Sequence, residues 1–388
     1  MGWSAFRQTG LTFHNPNQSV KGYTLFVPTR AEDIYLIDMA GQIVKTWRFE
    51  DVEPGLPKLL PNGHLLLSCT DKATAARARQ LEKDDYSDLE LLALRLGGGY
   101  NTLREYDFEG NLLWSFSTAT MHHDFHLCPD GDILAPHWEV MPDEAAKKVR
   151  GGVKKRGKQS PMFGDNIIRV NRAGEEVERW RLWQMFDPRK DPINPMVSRL
   201  EWMHVNSVDL SEEGQLLVSC RHNSRVALID MAAHEITWKY AEPEISLQHH
   251  ATFVPGGNIQ VFDNSLHKAL GSATSQILEI DPKSNDIVWR YQPAVPEQFF
   301  SGHLGGAQRL PLGNVLICEG TSGRLFEVTR KGEIVWEWIN PFVFGMPDGR
   351  QFTWIYRAYR YPMDYPGLQG KELNPEAYRG LNVAHGLG

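Results

Sequence analysis

The stretch IYLIDMAGQIVKTW, residues 34–47, decides the fold. It is a short apolar strand, a polar turn carrying Gly41, and a second strand that closes on Trp47. The same form returns five times: LREYDFEGNLLW (103–114), IIRVNRAGEEVERW (167–180), VALIDMAAHEITW (226–238), ILEIDPKSNDIVW (277–289) and LFEVTRKGEIVW (325–336). Repetition of one hairpin at intervals of tens of residues marks a repeat architecture, because each unit must bury its apolar face against the next.

A second hairpin lies between the copies, with glycine in the third position of its turn. It reads KLLPNGHLLLS (58–68), HLCPDGDILA (126–135), VDLSEEGQLLVS (208–219), ATFVPGGNIQVF (251–262) and AQRLPLGNVLIC (307–318). Glycine suits such turns because it tolerates positive φ. Two alternating hairpins make four strands per unit, the pattern of a β-propeller. Counting outer hairpins predicts an all-β, six-bladed β-propeller in a single domain over residues 1–388. GYTLFVP (22–28) and WIYRAYRY (354–361) supply N- and C-terminal strands expected to close the ring, since closure removes an exposed sheet edge.

The tight turns leave the long segments elsewhere, and about 70–102, 137–166 and 181–203 are expected as lid insertions on one face. RQLEKDDYSDLELLALRL (79–96) and DEAAKKVRGG (143–152) have helical spacing. The basic run KKVRGGVKKRGK (147–158) reads either as a solvated lid surface or as an attractor of anionic substrate.

Composition narrows the function. The chain has 388 residues, 41% hydrophobic and 11% aromatic, with a net charge of −7. That balance supports a large packed core and argues against nucleic acid as a partner. No run approaches the eighteen apolar residues of a membrane helix, so no membrane partner is expected. The N-terminal residues show neither a basic nor an apolar leader region. Cys69, Cys128, Cys220 and Cys318 fall at strand ends and never in a CxxC, which suits buried free thiols in a reducing compartment. Together these features predict a cytoplasmic enzyme acting on a small molecule, aromatic or anionic; oligomeric state is not legible.

Histidines concentrate where inner strands begin. Counted back from the inner turns, His123, His249 and Asn206 stand at minus six and His204 and His303 at minus eight. Residues two apart on a strand share a face, so these five are expected to converge at the channel mouth.

The motifs MHHDFH (121–126), WMHVNS (202–207), SCRHNS (219–224), QHHATF (248–253) and VFDN (261–264) resemble those of the arylsulfotransferase family. That family comprises six-bladed propellers that move a sulfuryl group from an aryl sulfate to a phenol without a nucleotide donor. The resemblance implies His249 as the nucleophile, His204, Asn206 and Arg221 as holders of the sulfuryl oxygens, and His123 as the remaining active-site histidine, with no cofactor. A neutral imidazole is a competent nucleophile, and arginine offers a fixed cationic fork to anionic oxygens.

His303 in SGHLGGAQ has no place in that machinery and opens a different reading. His123, His204, His249 and His303 would form a four-histidine centre for iron, copper, manganese or zinc, serving a lyase, hydrolase or oxygenase. Asp124, Glu139, Gln248, Asp263 and Glu319 stand in the right motifs to orient those rings. A third reading is a non-catalytic propeller that binds a ligand.

Overall fold

The computed structural model describes residues 8–82, 85–154, 160–241, 243–266, 274–346 and 348–387. The chain forms two compact units. One comprises residues 1–67, 105–113 and 299–388, and the other residues 68–104 and 114–298.

The first unit holds two sheets. Ile355–Pro362, Gly22–Pro28, Asp33–Ile37 and Ile43–Arg48 make a four-stranded antiparallel blade in that order. Gly10–His14, Ile334–Ile339, Arg324–Val328, Val315–Glu319 and Gly306–Arg309 make a five-stranded one. Phe26, Tyr35, Trp336 and Trp338 fill the core between them, and the ring of Tyr35 stacks on Phe342 at 4.1 Å. A buried Arg360–Glu327 ion pair also serves the backbone, since Glu327 accepts from the N–H of Val20 at 2.8 Å.

The second unit contains two further four-stranded blades. Val205–Leu210, Gln215–Cys220, Arg225–Asp230 and Glu235–Ala241 form one, and His249–Phe253, Ile259–Asp263, Gln276–Ile280 and Ile287–Tyr291 the other. The two blades of the second unit are meanders of consecutive strands, whereas each sheet of the first unit joins an N-terminal strand to C-terminal ones; in all four the strands bury apolar side chains.

The propeller arrangement holds, and the blade number is corrected: there are four discrete blades, not six. The other strands run together in one eight-stranded sheet, whose path is Glu176–Arg181, Phe163–Val170, Ile133–Val140, Leu112–His122, Gly99–Tyr106, Leu65–Asp71 and Val52–Leu59, with His126–Leu127 paired to Ile133–Val140 at the side. The cause lies in the segment after Trp114. SFSTATM continues as β-favouring sequence, so the strand runs on for 11 residues and Met121 pairs with His137. The inner strand expected there shrinks to His126–Leu127 because His123 turns the chain with a φ of 61°. The expected closure is corrected as well. Pairing of Gly22–Pro28 with Ile355–Pro362 completes one blade and joins no two sheets.

The repeat-closing tryptophans have a common task. The indole N–H of Trp47 donates to Phe108 O (2.8 Å), Trp114 to Arg172 O (3.0 Å), Trp180 to Met231 O (2.9 Å), Trp238 to Asn285 Oδ1 (2.7 Å) and Trp336 to Met39 O (3.0 Å). In each case the acceptor sits in the turn of another copy of the same hairpin. Tryptophan recurs because it brings apolar area and one N–H that must find a partner when buried.

The insertions of the second unit are structured. Helices Lys72–Gln80 and Leu89–Arg95 are N-capped by Asp71 and Asp88, whose carboxylates accept from Thr74 N (2.8 Å) and Leu91 N (3.0 Å). Leu92 and Ala93 pack on Trp138 and Phe163. Helix Asp143–Ala146 follows the helical spacing, and strands Gly151–Val153 and Ile193–Ser198 tie the other two insertions together as a parallel pair. Residues 155–158 of the basic run lie outside the described residues.

Candidate functional site

The second unit brings a carboxylate and two imidazoles together at the ends of two paired strands. Gln215–Cys220 finishes in a turn that folds back on the residues leading into Val205–Leu210: Arg221 N donates to His204 O (3.2 Å) and His222 N to Met203 O (2.8 Å). This backbone clasp stacks the rings of His204 and His222 at 4.3 Å, 13° from parallel. Glu201, three residues before His204, is held by a parallel bridge to Phe163 and meets His204 Nδ1 through Oε2. Its main-chain oxygen faces His222 Nδ1 at 3.4 Å. The ligand-capable atoms of Glu201, His204 and His222 all lie within 4.8 Å of one another, and all three residues are buried.

Histidines from the end of Leu112–His122 form the adjoining wall. The ring of His123 stands 4.4 Å from that of His204, nearly perpendicular to it. His122 stacks on Trp138 at 3.9 Å, and its Nδ1 is 3.0 Å from His123 Nδ1. Asp165 anchors the group from below, accepting from the N–H groups of His204 (3.1 Å) and Val205 (2.8 Å). His204, like His123, has a left-handed backbone, with φ of 55°. Two such residues in one site are the kind of backbone strain found where function demands it.

Burial dominates the electrostatics. It drives His204 well below the usual imidazole range, with Arg221 acting in the same direction, and it pushes His222 down to about 3. Burial pushes the Glu201 carboxyl up to about 7 against the opposing pull of His222 and Arg221, and Asp165 likewise to about 7. At neutral pH the imidazoles are therefore uncharged and carry lone pairs, the state a metal requires of histidine. Three buried nitrogens beside them have no hydrogen-bond partner among the described residues, Arg221 Nε, Trp138 Nε1 and His122 Nε2.

Of the residues expected from sequence, His123, His204 and Arg221 meet here. His123 and His204 do so through left-handed corners and Arg221 through the turn after Gln215–Cys220, rather than through strand alternation. Asn206 lies on its strand and donates to Gln248 O at 2.8 Å. His249 begins the next blade, with Nδ1 2.6 Å from Asn264 Oδ1. His303 belongs to the first unit, where its ring stands 4.8 Å from Trp354. The carboxylates proposed to orient the rings have other partners: Asp124 caps Phe125 N (2.8 Å), Glu139 takes Arg181 (3.0 Å), Asp263 takes Ser246 N (2.7 Å) and Glu319 takes Arg324 (3.2 Å). Glu201, His222, His122 and Asp165 escaped sequence reasoning. The Glu-x-x-His step at 201–204 and the histidine in SCRHNS were the available signals.

Fold and site together define a propeller-fold enzyme with a buried histidine–glutamate centre. The model of the arylsulfotransferase (ASST) family matches residues 90–341, well over half of the chain, and the protein belongs to that family. Its four discrete blades depart from the six expected of the family. No curated protein matches the sequence. Among solved structures, a protein of unknown function from Bacteroides caccae is similar at 15% identity and a TM-score of 0.51, over 88% of this chain and 98% of that one. That likeness speaks for the fold alone. A streptogramin B lyase (12% identity, 91% and 93% covered, TM-score 0.47) and the hydrazine synthase of Kuenenia stuttgartiensis (13%, 94% and 100%, 0.49) are more distant and carry no argument.

Among the described residues, no helix is long and apolar enough to cross a membrane.

Proposed function

We propose that the protein is a transition-metal-dependent enzyme, a lyase, hydrolase or oxygenase, whose ion is held by Glu201, His204 and His222. The observation that carries this reading is the convergence of their donor atoms within 4.8 Å in a buried setting. The donor set fits: two neutral imidazoles and one carboxylate are the ligands of catalytic zinc hydrolases and of non-haem iron oxygenases alike. A bound ion would supply Lewis acidity at the site. The surrounding residues do the rest. Trp138 and Phe163 exclude water, Asp165 holds the backbone of His204, and Arg221 sets a positive charge beside the carboxylate. His123 offers a further imidazole to a substrate.

Elemental analysis of the purified chain after reconstitution with iron, manganese, zinc or cobalt tests the reading. About one ion per chain is expected, and its loss in His204→Ala and His222→Ala. Wild-type protein that takes up none of the four metals would refute it.

A second reading, sulfuryl transfer through His249, is favoured by one contact. Asn264 Oδ1 accepts from Nδ1–H of His249, which leaves the lone pair on Nε2, as a nucleophile needs. Incubation with an aryl sulfate followed by peptide mass analysis separates the two: a sulfated His249 peptide supports transfer, and its absence in a metal-loaded enzyme supports the first reading.

A further inference from the structure

His122 and His123 are consecutive and buried, and their rings meet edge to face with centroids 5.2 Å apart. With their Nδ1 atoms 3.0 Å apart, one nitrogen must carry the proton and the other must accept it. The far side of His122 decides which. Its Nε2 faces Asp165 Oδ1 at 3.5 Å, an electrostatic contact longer than a hydrogen bond. Both oxygens of Asp165 already act as acceptors, from Val205 N and His204 N. With both oxygens receiving backbone N–H groups the carboxyl is set up to accept, and the ring nitrogen turned toward the ionised group is the protonated one. His122 is then the Nε2–H tautomer and its Nδ1 accepts. His123 donates from Nδ1–H, and its lone pair falls on Nε2.

That nitrogen lies against the helical insertion. The N–H of His123 donates to Gly98 O at 2.8 Å, and a Cβ at position 98 would stand 2.4 Å from His123 Nε2. One residue earlier, a Cβ on Gly97 would stand 3.7 Å from Cε1 of His204, an ordinary contact. The edge bearing the lone pair therefore fits only because residue 98 has no side chain.

We infer that His122 is a positioning residue that sets the tautomer of His123, so that His123 carries its lone pair on Nε2, on the edge packed against Gly98 beside His204. This rests on the proposed function only for the use made of that nitrogen; the tautomer belongs to the metal-free chain.

The test is a long-range proton–nitrogen correlation spectrum of metal-free protein labelled with nitrogen-15 histidine, with His123 assigned by subtraction of the His123→Ala spectrum. The expected wild-type pattern is a protonated Nδ1 and an unprotonated Nε2. His122→Phe keeps a ring on Trp138 and removes the acceptor, so His123 should lose its Nδ1–H signature. An Nε2–H form of His123 in the wild type overturns the inference whether or not the variants fold, as does an unchanged tautomer in His122→Phe. Failure of the wild type to bind metal would refute the proposed function and leave this result standing.

Discussion

Glu201 joins His204 side chain to side chain, both of them buried, and the consequences of that one contact are sharp. Replacing the carboxylate removes both a candidate ligand and the group that orients the imidazole. Glu201→Gln is expected to weaken metal binding by at least about 10–100-fold, the usual cost of disturbing an orienting partner alone. Titration with cobalt, followed by its absorption, checks this, and wild-type affinity in the variant would remove Glu201 from the centre. His137 makes a different prediction. Its Nε2 is 2.9 Å from Thr120 Oγ1 and its Nδ1 3.2 Å from Arg179, and burial, with Arg179 nearby, pushes it down to about 3 from the ordinary 6.5. The folded state keeps this ring neutral while the unfolded chain protonates it below pH 6.5. Its contribution to stability is therefore complete above pH 6.5 and lost as the pH falls toward 3. His137→Gln should flatten the fall in stability between pH 6 and pH 4 by up to ~1.4 kcal/mol per pH unit, the value of one proton. Urea unfolding at several pH values reads this directly; parallel curves for the two proteins would show that His137 does not titrate on unfolding.

Among the elements, the outer hairpins are tied to one another by their tryptophans. Trp180 is almost wholly buried and its N–H satisfies Met231 O. Trp180→Phe keeps an aromatic ring and leaves that carbonyl without its donor, so a loss of about 2 kcal/mol is expected. The half-exposed Trp238 hooks the side chain of Asn285, which water can replace, and Trp238→Phe should cost less than half as much. Equal losses at the two positions would show that ring volume, not the hook, governs the effect. The hairpins were legible because alternation, a turn and a terminal indole are all local. The merging of strands around Met121 and His137 was not, since it depends on where a strand stops. That was decided by His123 adopting a left-handed corner, which histidine tolerates better than most side chains but which its neighbours in sequence do not specify.

Taken as a whole molecule, the chain keeps all four of its cysteines, Cys69, Cys128, Cys220 and Cys318, as buried thiols outside any disulfide. Burial pushes Cys128 up to about 11 and raises Cys220 and Cys318 as well. Thiolate is the reactive form, so native protein should be inert to a thiol reagent at neutral pH and release four equivalents per chain only on unfolding. A fast-reacting thiol in the native state would show that at least one lies in a region that opens readily. Sequence by itself determined the all-β repeat, the hairpin with its closing tryptophan, the family motifs and the buried cysteines. Each of these is written in residues adjacent in the chain. Only the tertiary structure decided that strands from two expected blades share one sheet. It also decided that the centre is built from Glu201, His204 and His222, with His122, His123 and Asp165 around it. Those groups are up to a hundred residues apart, and backbone clasps and left-handed corners bring them together. A period of two along a strand encodes neither of those devices.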